Sequence, residues 1–292
     1  MRILFIGAVL FSRRALEQVI AAGAQVAGVC TLAQSVFNAD HCDLSSVAQA
    51  HDIPWLHADD INAAATLEWI RAQRPDIIFC FGWSKLLKSD LLNLAPMGVV
   101  GFHPAALPAN RGRHPIIWAL ALGLTRTAST FFFMDEGADS GDILSQRPVT
   151  IGDSDDAAAL YEKVTQTALA QIAEFLPQLI AGHYPRVKQD HSLANAWRRR
   201  GAADGKVDWR MPARGIHNLV RALARPYVGA HFVASGAEIK LWRAELVTGL
   251  PANLEPGKVV AWAGGPVVKC GEDAIRLLET APDFAPAPGS YL

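Results

Sequence analysis

One histidine and one aspartate are of the types that could carry out chemistry together. His103 lies between an apolar run and a loop rich in proline and glycine, and Asp139 lies further along, in the segment MDEGADSGDIL. An acid–imidazole pair can orient the ring and manage a proton during acyl transfer. Either residue alone is more typical of a strand end or a turn. The prediction of a catalytic pair therefore depends on the fold bringing the two segments together.

The surrounding sequence alternates between strand and helix patterns. Arg2–Ile6, Gln25–Thr31 and the runs DIIFCFG, GVVGFHP, TASTFFFM and DILSQRPVTI are predicted strands, and another begins at Ile53. Strand–helix–strand units build parallel sheets, and open parallel sheets bind ligands at the carboxyl ends of their strands. We expect FGWSKLL, the His103 loop and MDEGADSGDIL to follow strands at one such edge.

The second half of the chain has a different composition. A long amphipathic helix is predicted with Ser154 as its N-cap, and the sequence becomes polar after Gly182. Short strands separated by glycine and proline then suggest a small barrel. The sequence therefore predicts a Rossmann-like catalytic domain over residues 1–190, whose mostly parallel sheet has helices on both faces. An OB-like β-barrel domain is predicted over residues 191–292.

Bulk properties exclude several classes of protein. Apolar residues make up 51% of the 292 and the net charge is -1, which argues against disorder and against a polyanionic partner held by bulk charge. The N-terminus lacks a signal-peptide pattern and no apolar run is long enough to span a membrane, so we expect a cytoplasmic protein with no membrane partner. The four cysteines form no C-x-x-C pair and are predicted to be free thiols.

Two other kinds of catalytic site are disfavoured by the pattern. The segment NADHCD offers His41 among acidic residues and a cysteine, but no second cluster has metal-ligand spacing, so no metal is predicted. A serine hydrolase of the α/β type would need a G-x-S-x-G elbow, which is missing.

The segments GFHPAALPANRGRHPI and MDEGADSGDIL together resemble the formyltransferase family that uses N10-formyltetrahydrofolate. The family pattern is Asn-x-His, a Leu-Pro segment with Arg-Gly, and then an Asp-x-Gly-Asp element, so His103 and Asp139 match its catalytic histidine and aspartate. GKVDW and HNLVRALARPYVGAHF are similar to the start of the C-terminal domain in methionyl-tRNA formyltransferase and in nucleotide-sugar N-formyltransferases. The resemblance thus covers nearly the whole chain.

The resemblance implies a mechanism and a place for the co-substrate. An acceptor amine attacks the formyl carbon of N10-formyltetrahydrofolate, His103 stabilises the oxyanion and moves the proton, and Asp139 holds the imidazole. The residues that it assigns to the formyl donor lie in two loops: Gly82, Trp83, Lys85, Leu86, Leu87, Glu136, Gly137, Ala138 and Asp139.

One position departs from the family pattern. The family asparagine, whose side chain helps to bind the developing oxyanion, corresponds to Gly101. Three interpretations stay open. Asn110 or a backbone N–H supplies the missing donor, His103 as an imidazolium carries more of that role, or the protein is a slow or altered-substrate member.

The acceptor is predicted from charge and from resemblance. Methionyl-tRNA formyltransferase has a basic insertion after its second strand, whereas the matching segment here, TLAQSVFNADHCDLSS, contains no lysine or arginine. We therefore expect no nucleic-acid partner and predict formyl transfer to a nucleotide-linked amino sugar in glycan biosynthesis. A homodimer is compatible with this resemblance. The alternatives are methionyl-tRNA formylation and a catalytically weakened binding homologue.

A small anionic acceptor needs only a few cationic side chains. Lys85 is one such candidate for the phosphates, and Trp83 is a candidate for stacking. The residues predicted to bind the acceptor substrate are Ser12, Arg111, Arg113, Arg221, Arg225 and Tyr227.

Overall fold

The computed structural model describes residues 1–35 and 39–292. Residues 36–38 lie outside the described residues. They belong to TLAQSVFNADHCDLSS, the segment that was compared above with the basic insertion of methionyl-tRNA formyltransferase. The chain forms two compact units. The first contains residues 1–112, 128–149 and 163–196, and the second contains residues 113–127, 150–162 and 197–292. The boundary after residue 190 stays a prediction, while the units show that two earlier segments belong with the C-terminal part of the chain.

The first unit is built on a seven-stranded sheet with the order β3-β2-β1-β4-β5-β7-β8. The strands before residue 200 are β1 (Arg2–Ile6), β2 (Gln25–Thr31), β3 (Trp55–His57), β4 (Ile77–Cys80), β5 (Val99–His103), β6 (Arg111–Gly112), β7 (Arg126–Phe133), β8 (Ile143–Thr150) and β9 (Ala196–Trp197). The predicted bounds of β1 and β2 are confirmed, and β3 begins two residues after the expected Ile53.

Most pairings in this sheet are parallel, as predicted. β1 pairs in parallel with β2 and β4, β2 with β3, and β4 with β5. β7 is antiparallel to β5, with His103 opposite Thr130 and Val100 opposite Phe133. The strand order reverses between β1 and β4, and this switch point is where open α/β sheets bind ligands.

Helices cover both faces of the sheet, as predicted. The helices of the described residues are α1 (Leu10–Ala21), α2 (Ser45–Ala50), α3 (Ala64–Ala72), α4 (Ser89–Leu92), α5 (Pro115–Ala121), α6 (Ala157–Ile180) and α7 (Ala213–Ala222), of which α5 and α7 belong to the second unit. On one face, Leu4 of β1 shares a buried cluster with Leu67 of α3. On the other face, the ring of Phe79 in β4 lies 6.3 Å from that of Phe175 in α6. The alternation of side chains along a strand accounts for this division.

The start of α6 differs from the prediction. Its cap is Asp156, whose carboxylate accepts a hydrogen bond of 2.9 Å from the N–H of Ala159. Asp155 instead accepts from the N–H of Gly152 at 2.7 Å. Ser154, the predicted N-cap, lies two residues too early and is exposed. Serine and aspartate both favour the N-cap position, so residue type alone does not tell which of them caps α6. The cap is set by where the helical backbone begins.

The second unit contains α7 and a five-stranded antiparallel sheet with the order β10-β11-β14-β13-β12. Its core includes Phe232, whose ring contacts the rings of Trp209 and Phe284 at 5.3 Å each. The strands are β10 (Ala230–Ala234), β11 (Ala237–Val247), β12 (Val259–Trp262), β13 (Pro266–Lys269) and β14 (Ala274–Ala281). The expected series of short strands is thus confirmed.

The four cysteines are free, as predicted. Burial raises the pKa of the Cys30 and Cys80 thiols to about 12, so both stay protonated at neutral pH. Within the described part of the chain, no helix has the length and apolarity required to cross a membrane.

Candidate active site

His103 is the last residue of β5 and is almost fully buried, with 5% of its surface exposed. Its Nε2 lies 2.8 Å from the main-chain oxygen of Asn110. A carbonyl oxygen can only accept, so this hydrogen bond requires a proton on Nε2. Asn110 has a φ of 65°, a left-handed conformation that asparagine tolerates better than most residues. The loop after β5 therefore turns back to cover the end of its own strand.

Asp139 lies on the other side of the imidazole. Its Oδ2 is 3.6 Å from Nδ1 of His103 and accepts a 2.8 Å hydrogen bond from the N–H of Gly112. Asp139 also has a positive φ, of 52°. The two segments singled out by sequence are therefore brought together, with a carboxylate and a carbonyl facing the two nitrogens of one buried ring.

The loop that carries Asp139 leaves the sheet at a different edge from the one that we expected. We expected MDEGADSGDIL to lie at the same sheet edge as the end of β5. Since β7 is antiparallel to β5, the segment leaves the sheet beside Val99, at the start of that strand. The loop then returns to His103. Strand direction cannot be derived from an apolar run, which is why the pattern missed this.

The environment of Gly101 shows what fills the space beside it. A Cβ at this position would lie 2.8 Å from Cγ of Met134 and 3.2 Å from the ring of Phe132. Glycine is thus matched to a thioether side chain that packs over the strand. Asn110 contributes main-chain contacts, because its O accepts from His103 and its N–H donates to Oδ1 of Asn195 at 2.7 Å.

The residues predicted to hold the formyl donor lie in two loops that meet. Ser89, just after the first loop, donates to Oε1 of Glu136 in the second loop at 2.8 Å. Gly82 has a φ of 70°, and a Cβ there would lie 2.3 Å from Cγ2 of Val9. Only glycine fits this turn without moving its neighbour.

Side chains in the first of these loops differ in exposure. Leu87 is buried in the core, whereas Leu86 is 74% exposed. Lys85 is exposed, and its ammonium group donates to the carbonyl of Asp59. Nε1 of Trp83 is buried and has no hydrogen-bond partner among the described residues. A buried donor without an acceptor is costly, so this indole is suited to a polar ligand atom. Gly137 and Ala138, in the second loop, are both exposed.

Of the residues predicted to bind the acceptor, Arg111 lies in the first unit, between Asn110 and Gly112, which bond to His103 and Asp139. Its Nη2 donates to Oε1 of Gln189 at 2.6 Å and to Nδ1 of His191 at 3.0 Å. Its Nε is buried and lacks a partner among the described residues.

Ser12 is fully buried, and its hydroxyl donates to the carbonyl of Phe81 at 2.5 Å. Ser12 therefore ties α1 to the end of β4. Its contact with the acceptor stays a prediction.

The remaining predicted acceptor residues, Arg113, Arg221, Arg225 and Tyr227, belong to the second unit. Arg221 donates through Nη1 to the carbonyls of Gly152 and Asp155, at 2.9 and 3.1 Å. Burial lowers the pKa of its guanidinium, although the group stays charged at any physiological pH. Arg225 pairs with Glu279 at 2.7 Å. Their contacts to an acceptor stay predictions.

His114 lies at the start of a helix. It is the N-cap of α5, with Pro115 at the first helical position. Burial and the nearby arginines 113, 199 and 200 lower the pKa of its imidazole. Sequence reasoning gave His114 no catalytic role.

Two residues that bond to the main chain of the site loops were missed by sequence reasoning. The amide of Gln189 donates to the carbonyls of Asp139 and Gly141, at 2.9 and 2.7 Å, and the side chain is 7% exposed. Asn195 accepts from the N–H of Asn110. Both lie in a polar stretch whose local pattern carries no signal, and only their tertiary contacts single them out.

The acidic segment around His41 contains local contacts. Nε2 of His41 is 3.0 Å from the carbonyl oxygen of Leu32, and Asp43 lies 2.9 Å from Nε2 of His57. In residues 1–35 and 39–292, no three His, Cys, Asp or Glu side chains gather in a way that could hold a metal ion.

Comparison with known proteins agrees with the architecture. Residues 1–176 match the family model described as Formyl transferase, and residues 201–285 match the Formyl transferase C-terminal domain. The chain therefore belongs to the formyl transferase family, which confirms the resemblance of its motifs. The protein is thus an enzyme of the formyl-transfer class.

Solved structures of low sequence identity share the fold along almost the whole chain. WlaRD, a sugar 3N-formyl transferase studied with dTDP and 5-N-formyl-THF, is 15% identical, with a TM-score of 0.72 over 97% of this chain and 99% of its own. An N-formyltransferase from Helicobacter canadensis, in complex with folinic acid and dTDP-3-aminofucose, is also 15% identical, with a TM-score of 0.71 over 94% and 98% of the two chains.

HypX from Aquifex aeolicus, in complex with tetrahydrofolic acid, is 18% identical with a TM-score of 0.70 over 96% of this chain. The present chain spans only 44% of the HypX chain. At these identities the likeness concerns the fold.

Proposed function

We propose that this protein transfers a formyl group from N10-formyltetrahydrofolate to the amino group of a nucleotide-linked amino sugar. The observation that carries the proposal is the buried imidazole of His103, held between Asp139 and the carbonyl of Asn110 in a formyl transferase fold. The similar folds of enzymes studied with folates and dTDP-sugars support the choice of donor and acceptor.

The two loops that meet through Ser89 and Glu136 suit the formyl donor. Trp83 offers a buried indole N–H without a partner among the described residues, and the exposed main chain of Gly137 and Ala138 offers further polar groups. When bound, the donor supplies an electrophilic formyl carbon attached to a nitrogen that can leave as an amine.

In the proposed reaction, His103 acts on the charge that develops at the formyl oxygen. As the acceptor amine bonds to the formyl carbon, the Nε2–H group releases its hydrogen bond to the carbonyl of Asn110 and donates to the formyl oxygen instead. Asp139 faces Nδ1, accepts from it when the ring is an imidazolium, and receives, through water, the proton that the amine loses. The bond between the formyl carbon and N10 then breaks, N10 takes up that proton, the formyl carbonyl is restored on the acceptor nitrogen, and tetrahydrofolate leaves. Preorganised donors of this kind stabilise developing charge without reorganisation during the step.

Gly101 limits which groups assist His103. Glycine brings no amide, and the space beside it is taken by Met134. We infer that His103 itself carries the larger share of oxyanion stabilisation, with a backbone N–H of the loop after β5 as the second donor.

The choice of acceptor rests on charge and on the neighbouring side chains. The segment after β2 carries no lysine or arginine that could grip a tRNA acceptor end. Arg111, with a buried Nε that lacks a partner among the described residues, is suited to a phosphate oxygen. We further propose that the protein acts in the cytoplasm and serves glycan biosynthesis. That it forms a homodimer stays a prediction.

The test is an assay with N10-formyltetrahydrofolate and a panel of nucleotide-linked amino sugars, with methionyl-tRNA as a separate arm. We expect release of tetrahydrofolate together with a formylated nucleotide sugar detected by mass. Turnover on methionyl-tRNA alone would overturn the proposed acceptor. Folate binding without turnover on any acceptor would contradict the enzymatic proposal and favour a weakened homologue.

A further inference from the structure

Both nitrogens of the His103 imidazole face groups that are themselves held by one later segment of the chain. We call residues 187–195 the tether segment. It starts beside β8, where Val187 and Ile143 exchange two main-chain hydrogen bonds of 2.8 and 2.9 Å. It ends at Asn195, whose carbonyl accepts from the N–H of Arg111 and whose Oδ1 accepts from the N–H of Asn110.

Gln189 is the member of the tether segment that contacts the Asp139 loop. Its two amide hydrogens go to two carbonyls of that loop, those of Asp139 and Gly141, and its Oε1 accepts from Arg111. The side chain is 7% exposed, so water competes little for these bonds. One buried amide thereby fixes two carbonyls that lie two residues apart.

The Asp139 loop needs such a restraint. Asp139 has a φ of 52°, a sparsely populated conformation for a residue with a side chain. Gly141 is packed so closely that a Cβ would lie 1.8 Å from the carbonyl oxygen of Phe133. Backbone that is held in such conformations persists when surrounding contacts over-determine it, and Gln189 supplies two of those contacts.

From this arrangement we propose that Gln189 is a positioning residue, which acts by holding the Asp139 main chain so that its carboxylate faces Nδ1 of His103. Gln189 contacts neither imidazole nor reacting atoms in the proposed reaction. The inference rests on the proposed function for its rate prediction, and it also predicts a structural signal that does not depend on activity.

The kinetic test uses Gln189→Met, which keeps the approximate length of the side chain and removes the amide. We expect kcat to fall roughly 10- to 100-fold, since small misplacements of catalytic groups cost that much, with KM for the formyl donor unchanged. Gln171→Met is the matched control, because that fully buried amide donates to the carbonyl of Ser129 and the hydroxyl of Ser145 and not to the Asp139 loop.

A double-mutant cycle separates positioning from general structural support. If Gln189 acts through Asp139, Gln189→Met causes little further loss of kcat in an Asp139→Asn background. Equal losses in both backgrounds would overturn the proposal. Gln189→Asn, which retains an amide but is one methylene shorter, provides a second variant should the methionine variant not fold, and we expect the same loss of kcat.

The activity-independent test follows the N–H of Gly112, which donates to Oδ2 of Asp139. In protein labelled with 15N-glycine, we expect this amide to exchange faster and to shift in Gln189→Met and to stay unchanged in Gln171→Met. An unchanged Gly112 signal in Gln189→Met would contradict the proposal. This result stands even if no acceptor is formylated, so failure of the positioning role and failure of the proposed function are distinguishable.

Discussion

The imidazole of His103 faces groups from two stretches of sequence, and a third stretch holds both of them. Asn110 faces one nitrogen and Asp139 the other, and the tether segment holds both stretches. With the ring almost fully buried, its hydrogen bonds are stronger than they would be in water, and errors in placement cost more. The chemistry therefore depends as much on the loops as on the catalytic pair.

The close packing of Met134 against Gly101 predicts a loss of stability when residue 101 is made larger. Gly101→Asn should destabilise the protein by about 1–3 kcal/mol, as overpacking in a core does. In a Met134→Ala background the same change should cost less, because the atom 2.8 Å from the new Cβ is gone. Denaturant unfolding of the four proteins measures the coupling. Equal costs in the two backgrounds would show that Met134 is not the obstacle.

His217 predicts a pH dependence of stability in the second unit. Its Nδ1 is buried without a partner among the described residues, and burial, followed by the charges of Arg221 and Arg214, lowers the pKa of the imidazole below 6.5. The unfolded chain then binds the proton more readily than the folded one. Stability is fully present above pH 6.5 and is lost as the pH falls towards the lowered pKa.

We therefore expect the melting temperature of His217→Gln to decrease less than that of the unsubstituted protein as the pH is lowered below 6.5. Part of the fall should remain, because the pKa of His114 is lowered as well. Replacing the exposed His51 by glutamine serves as the control. A His217→Gln protein with the same pH dependence as the unsubstituted protein would refute this account of the buried imidazole.

At the scale of elements, the N-terminus of α6 distinguishes two candidate caps. Asp156→Ala should cost about 0.5–2 kcal/mol, because the carboxylate that accepts from Ala159 is lost. Ser154→Ala should change the free energy of unfolding by less than about 0.5 kcal/mol, as exposed substitutions commonly do. Chemical denaturation of both variants is the measurement, and a larger loss for the serine variant would restore the original prediction.

Elements defined by local patterns could be predicted, whereas features defined by tertiary partners could not. The bounds of β1 and β2 follow from apolar runs that end at Gly7 and at the polar stretch after Thr31. The direction of β7 and the return of its loop to His103 depend on pairing with β5, which no local pattern specifies. Gln189 illustrates the same limit, since its neighbours in sequence are exposed and polar while its side chain is buried.

At the scale of the whole molecule, the family models, the mostly parallel sheet and the C-terminal antiparallel sheet describe one formyl transferase architecture. The near-neutral charge of -1 gives no bulk attraction for nucleic acid and suits a small anionic acceptor held by a few local cations. Among the substrate candidates, Arg111 has a buried Nε without a partner in the described residues, so it is the most informative of them to vary.

One kinetic comparison decides whether His103, held by Asp139, acts in formyl transfer. His103→Asn is compared with His57→Asn, a matched control, because His57 also pairs with an aspartate, Asp43, in the same unit but lies on the surface. With N10-formyltetrahydrofolate and the nucleotide-linked amino sugar that the panel identifies, we expect kcat to fall by about 10²–10⁴-fold for His103→Asn alone. A correctly folded His103→Asn protein that transfers the formyl group at the unsubstituted rate would contradict the account.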